Sequence, residues 1–208
     1  MSSVDPVVVC PERLREVFGE RASLADQYHE MLADRAIKWG LLGPREADRL
    51  WGRHILNSVA ISELIPLGAT VIDVGSGAGL PGIPLALARP DLRITLLDSQ
   101  LRRNKYLLQA VEELGLAEKV SVVMARAEQV KERYDVVVAR AVAPLKDLVR
   151  LCYPMINDCL LAIKGENAQN EVEQAAKEFS KRGLFGQILQ AQAAPWSTPT
   201  NVVRVRHS

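Results

Sequence analysis

Residues 71–82, Val-Ile-Asp-Val-Gly-Ser-Gly-Ala-Gly-Leu-Pro-Gly, constrain the fold of this chain more than any other stretch. An apolar strand, Val71 to Val74, runs into a turn with glycines at 75, 77 and 79, and the spacing predicts a helix from about Pro81. Without side chains in the way, a ligand can lie against the backbone of such a turn. Its free amides and the positive end of the following helix favour an anionic group. A glycine turn after the first strand of an α/β sheet marks a nucleotide or nucleoside cofactor site. The chain is therefore expected to be an enzyme that borrows its chemistry from a cofactor.

The rest of the sequence supplies the frame for that turn. Residues 1–66 read as a helical N-terminal cap with no strand signal. Pro11 opens a short helix ending near Gly19, Ser23 with Asp26 resembles a capped helix start, and Pro44 begins a long amphipathic stretch broken near Gly52. Residues 67–208 form the second part of one compact unit, where strands and helices alternate. Strands are expected at about 70–75, 92–97, 119–124, 134–139, 158–164, 184–190 and 201–207, and helices at about 81–89, 100–115, 145–156 and 167–183. Alternation of this kind makes a mostly parallel, doubly wound sheet. The last two strands follow each other without a helix and should pair antiparallel. Seven strands ending in such a hairpin fit the Rossmann-like topology of class I S-adenosylmethionine (SAM) methyltransferases, whereas dinucleotide dehydrogenases usually have six parallel strands.

Composition narrows the setting. With 208 residues, 48% of them hydrophobic and 25% charged, the chain can bury one sizeable core. No apolar run approaches the roughly 20 residues needed to span a bilayer. Residues 1–11 carry no basic segment followed by an apolar one, so no secretory signal is expected. Cys10, Cys152 and Cys159 are an odd number without metal-ligand spacing. They read as reduced thiols in a cytoplasmic protein that holds no metal. The net charge of +1 neither demands nor excludes a nucleic-acid partner, and no heptad or apolar stripe argues for more than a monomer.

Two cofactors compete for the turn. Gly77-x-Gly79-x-x-Gly82, with Asp98 about 20 residues on, matches the dinucleotide fingerprint. The turn begins earlier, however, as Asp73-x-Gly75-x-Gly77-x-Gly79. A carboxylate two residues before the first glycine suits the ammonium and sulfonium of SAM and would repel a pyrophosphate. On this reading Asp73, Gly75, Gly77 and Gly79 contact the cofactor. Asp98, ending the second strand, accepts from the ribose hydroxyls or caps the following helix. Ala127 and Glu128, after the third strand, border the adenine, unless Glu128 is simply a solvated loop carboxylate.

The substrate side is expected at the same sheet edge. Arg140 ends the fourth strand, where a guanidinium can pair with the cofactor carboxylate or an RNA phosphate. Lys164 ends the fifth strand. Arg53 and His54 in the cap are candidates for positioning a base or phosphate, against the alternative of a packing histidine. Arg102, Arg103 and Lys105 are RNA-contact candidates or a solvated helix face. No catalytic acid or base stands out.

Several of these segments together resemble one family. Arg53-His54-Ile-Leu-Asn-Ser, Gly75-Ser-Gly-Ala-Gly-Leu-Pro-Gly-Ile-Pro, Leu96-Leu-Asp98-Ser, Ala139-Arg140-Ala-Val-Ala-Pro and Ala162-Ile-Lys164-Gly occur in the order seen in the bacterial ribosomal RNA small-subunit methyltransferase G family (RsmG, or GidB). Asn57 stands where many members have Asp. The resemblance covers roughly residues 20–208. It implies methyl transfer from SAM, leaving S-adenosylhomocysteine, to N7 of a guanosine in 16S rRNA, guanosine 527 in the usual rRNA numbering. The partner implied is 16S rRNA within the 30S subunit or an assembly intermediate. The resemblance also implies that Gly75, Leu80, Ala127, Glu128 and Arg140 contact SAM. Guanine N7 has a lone pair and no proton to remove, so alignment of the reactants would suffice without a general base. Two other readings stand beside this one: a SAM methyltransferase of a small molecule or protein, and a SAM-binding assembly factor without catalysis.

Overall fold

The computed structural model describes residues 9–207. Seven strands form one sheet: β1 (Thr70–Val74), β2 (Arg93–Asp98), β3 (Val120–Met124), β4 (Tyr134–Arg140), β5 (Ile156–Lys164), β6 (Leu184–Ala191) and β7 (Thr200–His207). Their spatial order is β3-β2-β1-β4-β5-β7-β6. The first five are parallel, and β7 runs antiparallel to both β5 and β6. All seven strands foreseen in the sequence are present, and the closing hairpin pairs as expected. β1 lies between β2 and β4, so the strand order reverses beside it and opens a crevice at the carboxyl ends of β1 and β4.

The central strands are buried on both faces and therefore read as continuous Val/Ile/Leu runs. One face, with Val71, Leu96, Val136, Val138 and Leu161, packs against the N-terminal cap and against the helices that follow β1 and β2. The other, with Ile72, Val74, Leu97, Val137 and Leu160, packs against the two later helices. The helices are α1 (Pro11–Phe18), α2 (Ala22–Met31), α3 (Asn57–Val59), α4 (Gly82–Ala88), α5 (Leu101–Glu113), α6 (Leu145–Cys152) and α7 (Ala168–Arg182).

The cap differs from its sequence pattern in two places. Ser23 does not start α2. A 3-10 turn over Gly19–Arg21 leads straight into Ala22, and no side chain caps the helix. The segment expected to break near Gly52 instead stays wound, as a 3-10 stretch Pro44–Arg49 followed by π-helical turns Leu50–Leu56. Further along, α6 stops at Cys152, four residues before the expected end. Pro154 lies in a 3-10 turn there, and β5 starts early at Ile156. Cys152 and Cys159 are buried free thiols, both pushed up to about 12 by burial. Among the described residues no helix is long and apolar enough to cross a membrane.

Candidate functional site

The glycine turn is braced by its own backbone. The amides of Gly75 and Ser76 donate to the Leu97 carbonyl at 2.8 and 3.1 Å, and those of Gly79 and Leu80 donate to the Ser76 carbonyl at 2.7 and 3.0 Å. Gly77 N donates to Asp98 Oδ2 at 3.1 Å and Gly82 N to Asp73 Oδ2 at 2.9 Å. The free amides that the glycine pattern suggested for an anion are thus spent inside the turn. Gly75, at φ 73°, has a second reason to lack a side chain: a Cβ there would lie 2.8 Å from Val142 Cγ2.

Asp73 is fully buried, with one carboxylate oxygen on the Gly82 amide and the other without a hydrogen-bond partner. Burial raises its pKa from 3.8 to about 7, against the lowering effect of the Gly82 hydrogen bond. The side chain ties the turn to the start of α4. Gly79 and Leu80 are buried beside it, and the Tyr28 hydroxyl of the cap donates to the Ala78 carbonyl at 2.8 Å.

In front of the turn lies a pocket of about 320 Å³. It brings together Gly75, Asp98, Ala127 and Glu128 of the expected cofactor residues, and Arg103 of the expected RNA contacts. Asp98 sits at its floor, 3% exposed. Its Oδ1 accepts from Gln100 N at 2.9 Å, and its Oδ2 accepts from Gly77 N and, at 3.2 Å, from Arg103 Nη1. Three of roughly four lone-pair positions on the carboxylate are occupied. Asp98 thus serves both readings open to it, as a helix-start acceptor and as a polar group facing the pocket. Arg126, Val142 and Leu151 also line the pocket. Sequence reading missed them. Arg126 could have been found as the neighbour of Ala127, and Val142 as the second residue beyond the end of β4, but Leu151 of α6 arrives only through tertiary packing.

The remaining candidates do not line this pocket. Arg102 and Lys105 are exposed on α5. Lys164 Nζ donates to the Ala143 carbonyl at 2.9 Å and to Glu171 Oε2 at 2.7 Å, and the same oxygen accepts from Leu145 N at 2.7 Å. Lys164 therefore fastens the loop after β4. Arg53 is exposed and reaches Glu46 at 3.5 Å. His54 is buried, its Nε2 2.7 Å from Glu46 Oε2 and its Nδ1 2.6 Å from an Arg140 guanidinium nitrogen. Arg140 also donates to the His54 carbonyl at 3.2 Å. Burial, with the charge of nearby Arg53, lowers the Arg140 pKa to about 10, which leaves it a cation at neutral pH. The backbone N–H of Asn57 donates to that same His54 carbonyl. Among the described residues no group of three or more His, Cys, Asp and Glu could hold a metal.

This strand order, with a glycine turn and pocket at the switch point, is that of a Rossmann-like class I methyltransferase. Solved structures with this fold include TYW2 of M. jannaschii in complex with AdoMet (TM-score 0.57, 15% identity, covering 73% of this chain and 74% of that one). Another is the precorrin-6y C5,15-methyltransferase of Geobacter metallireducens (TM-score 0.55, 14% identity, covering 81% and 91%). Residues 21–196 match the family described as GidB, rRNA small subunit methyltransferase G, and the chain belongs to that family. Curated relatives carrying the name ribosomal RNA small subunit methyltransferase G are similar over nearly the whole length. The one from Streptomyces coelicolor is 50% identical, covering 99% of this chain and 88% of its own. The one from Mycolicibacterium smegmatis is 47% identical, covering 96% and 88%. The methyltransferase reading of the glycine turn thus prevails over the dinucleotide one.

Proposed function

We propose that this protein transfers a methyl group from SAM to N7 of a guanosine in 16S rRNA, guanosine 527 in the usual rRNA numbering. The observation that carries the reading is the pocket in front of the turn, with Gly75 bare against Val142, Asp98 at its floor and Ala127–Glu128 at its rim. These groups suit a nucleoside. The free acceptor position on Asp98 takes one ribose hydroxyl, and displacement of Arg103 from its Oδ2 frees room for the second. The backbone at Ala127–Glu128 offers hydrogen bonds to an adenine edge beside a small side chain. Arg140 supplies a cation at the carboxyl end of β4. Asp73, fully buried on the Gly82 amide, contributes by holding the turn.

SAM supplies an electrophilic methyl on its sulfonium. The chain's own residues bind, orient and exclude water, and none has to remove a proton from guanine N7. His54 has both ring nitrogens engaged, and burial with the nearby Arg140 holds its pKa down to about 4, so it is not cast as a base. Orientation of this kind lowers a barrier by up to about 7–11 kcal/mol in well-aligned systems. The substrate fits best as rRNA within the 30S subunit or an assembly intermediate, where shape supplements a net charge of only +1. The protein is proposed to act as a cytoplasmic monomer without a metal.

The test is transfer of labelled methyl from SAM to 30S subunits from cells lacking this gene, with the product mapped by cleavage at N7-methylguanosine. A single labelled guanosine in 16S rRNA is expected. SAM binding without transfer to rRNA would leave the fold and cofactor reading intact and overturn the substrate.

A further inference from the structure

Arg140, at the carboxyl end of β4, reaches back into the cap, and what it meets there is not a simple counter-ion. Its partner is His54, 86 residues earlier, which in turn meets Glu46. A guanidinium only donates hydrogen bonds, so His54 Nδ1 must accept from Arg140. The ring proton then resides on Nε2 and is donated to the Glu46 carboxylate. Each link fixes the next: Glu46 sets the tautomer of His54, and the tautomer sets where Arg140 can point. The backbone joins in, because Arg140 also donates to the His54 carbonyl, which the Ser58 hydroxyl approaches at 2.6 Å.

From this geometry we infer that Glu46 and His54 are positioning residues, which aim the Arg140 guanidinium at an oxyanion on the ligand edge of the sheet. The inference rests on the methyltransferase reading above. The two bonds to His54 occupy two of the five N–H groups of Arg140. The chain immediately after Arg140 turns through Ala141 at φ 55° to place Val142 in the pocket lining. Aiming the guanidinium thus also fixes the start of the loop that faces the ligand. A largely enclosed string of charged and polar groups, with Glu46 at its half-buried end, is a poor way to gain stability, since apolar side chains of like volume do as well. Its value lies in a fixed direction. The oxyanion it awaits is the cofactor carboxylate or an RNA phosphate, two sources of the same chemistry.

The test uses the full-length chain with His54→Leu, His54→Gln and Glu46→Ala. Leucine fills the site without hydrogen bonds. Glutamine can accept from Arg140 through its oxygen and donate to Glu46 through its nitrogen. S-adenosylhomocysteine binding by calorimetry reads the carboxylate arm, and KM for 30S subunits at saturating SAM reads the phosphate arm. In one arm His54→Leu should weaken binding about 10-fold or more, Glu46→Ala should fall between it and wild type, and His54→Gln should restore most of the loss. Nitrogen NMR of His54 reads the tautomer directly, whether or not methyl transfer occurs, and should show the proton on Nε2. A proton on Nδ1, or His54→Gln as impaired as His54→Leu, overturns the inference, as does His54→Leu unchanged in both arms. A wild-type protein inactive on 30S subunits would sink the substrate reading alone, because the calorimetric and NMR arms still decide this one.

Discussion

Protonation pulls on two residues of the site in opposite directions. His54 has its pKa lowered from 6.5 to about 4 by burial and by Arg140, with Glu46 opposing and Arg53 adding to the fall. Its stabilisation is complete above about pH 6.5 and is lost as pH falls through 4. Asp73 has its pKa raised from 3.8 to about 7 by burial. Its stabilisation is present below about pH 4 and is lost as pH rises through 7. Because the two windows nearly coincide, the pH response of the wild-type protein hides both. Single substitutions should reveal them. Relative to wild type, Asp73→Asn should gain stability from pH 4 to 8, by on the order of 4 kcal/mol. His54→Gln should gain on acidification from pH 7 to 4, by on the order of 3 kcal/mol. Urea midpoints measured across that range check both, and a difference that stays constant with pH would show that the group does not titrate there.

Among the elements, β5, α7 and the loop after β4 meet at Lys164, whose ammonium joins the Ala143 carbonyl to the Glu171 carboxylate. Replacing it by methionine leaves Glu171 facing a largely enclosed site with only the Leu145 amide. Lys164→Met should cost about 2–3 kcal/mol in urea unfolding and speed hydrogen exchange at residues 141–145. Unchanged exchange there would show that the loop is held by other contacts. The elements themselves were largely legible in the sequence, because period-2 runs and buried β-branched stretches such as Asp135-Val-Val-Val-Ala leave a local signature. What failed was local as well. Gly52 looked like a break because glycine is a poor helix former, and the π-helical winding over Leu50–Leu56 that contains it has no sequence signature of its own. Ser23 looked like a cap because its replacement, a continuous 3-10 entry, has no signature of its own.

At the scale of the molecule, the cap and one face of the sheet share a single apolar cluster. Leu14, Phe18, Tyr28, Leu32 and Ile55 of the cap lie in the same apolar cluster as Val71, Leu96 and Val136 of the sheet. All three tryptophans report on the cap: Trp39 and Trp51 belong to it, and Trp196 donates to Glu16 of α1. Thermal unfolding followed by tryptophan fluorescence and by far-ultraviolet circular dichroism should therefore give coincident transitions. An earlier fluorescence transition would show that the cap melts by itself. The candidate site was only half legible at this scale. The glycine turn, Asp98 and Ala127–Glu128 sit at strand ends, which sequence locates. The pairing of His54 with Arg140, the burial of Asp73 and the role of Lys164 depend on side chains brought together from distant segments, and no local pattern encodes them.

Among the described residues β6 pairs with β7 alone, and β7 lies between it and β5. A nonsense codon at any position from 192 to 199 therefore removes one strand from the gene product but two from the sheet. It also uncovers the apolar flank of β5, where Leu160 and Ala162 pair with Val205 and Val203. Late frameshifts in this reading frame should be as damaging as early ones, and the truncated product should be recovered in the insoluble fraction.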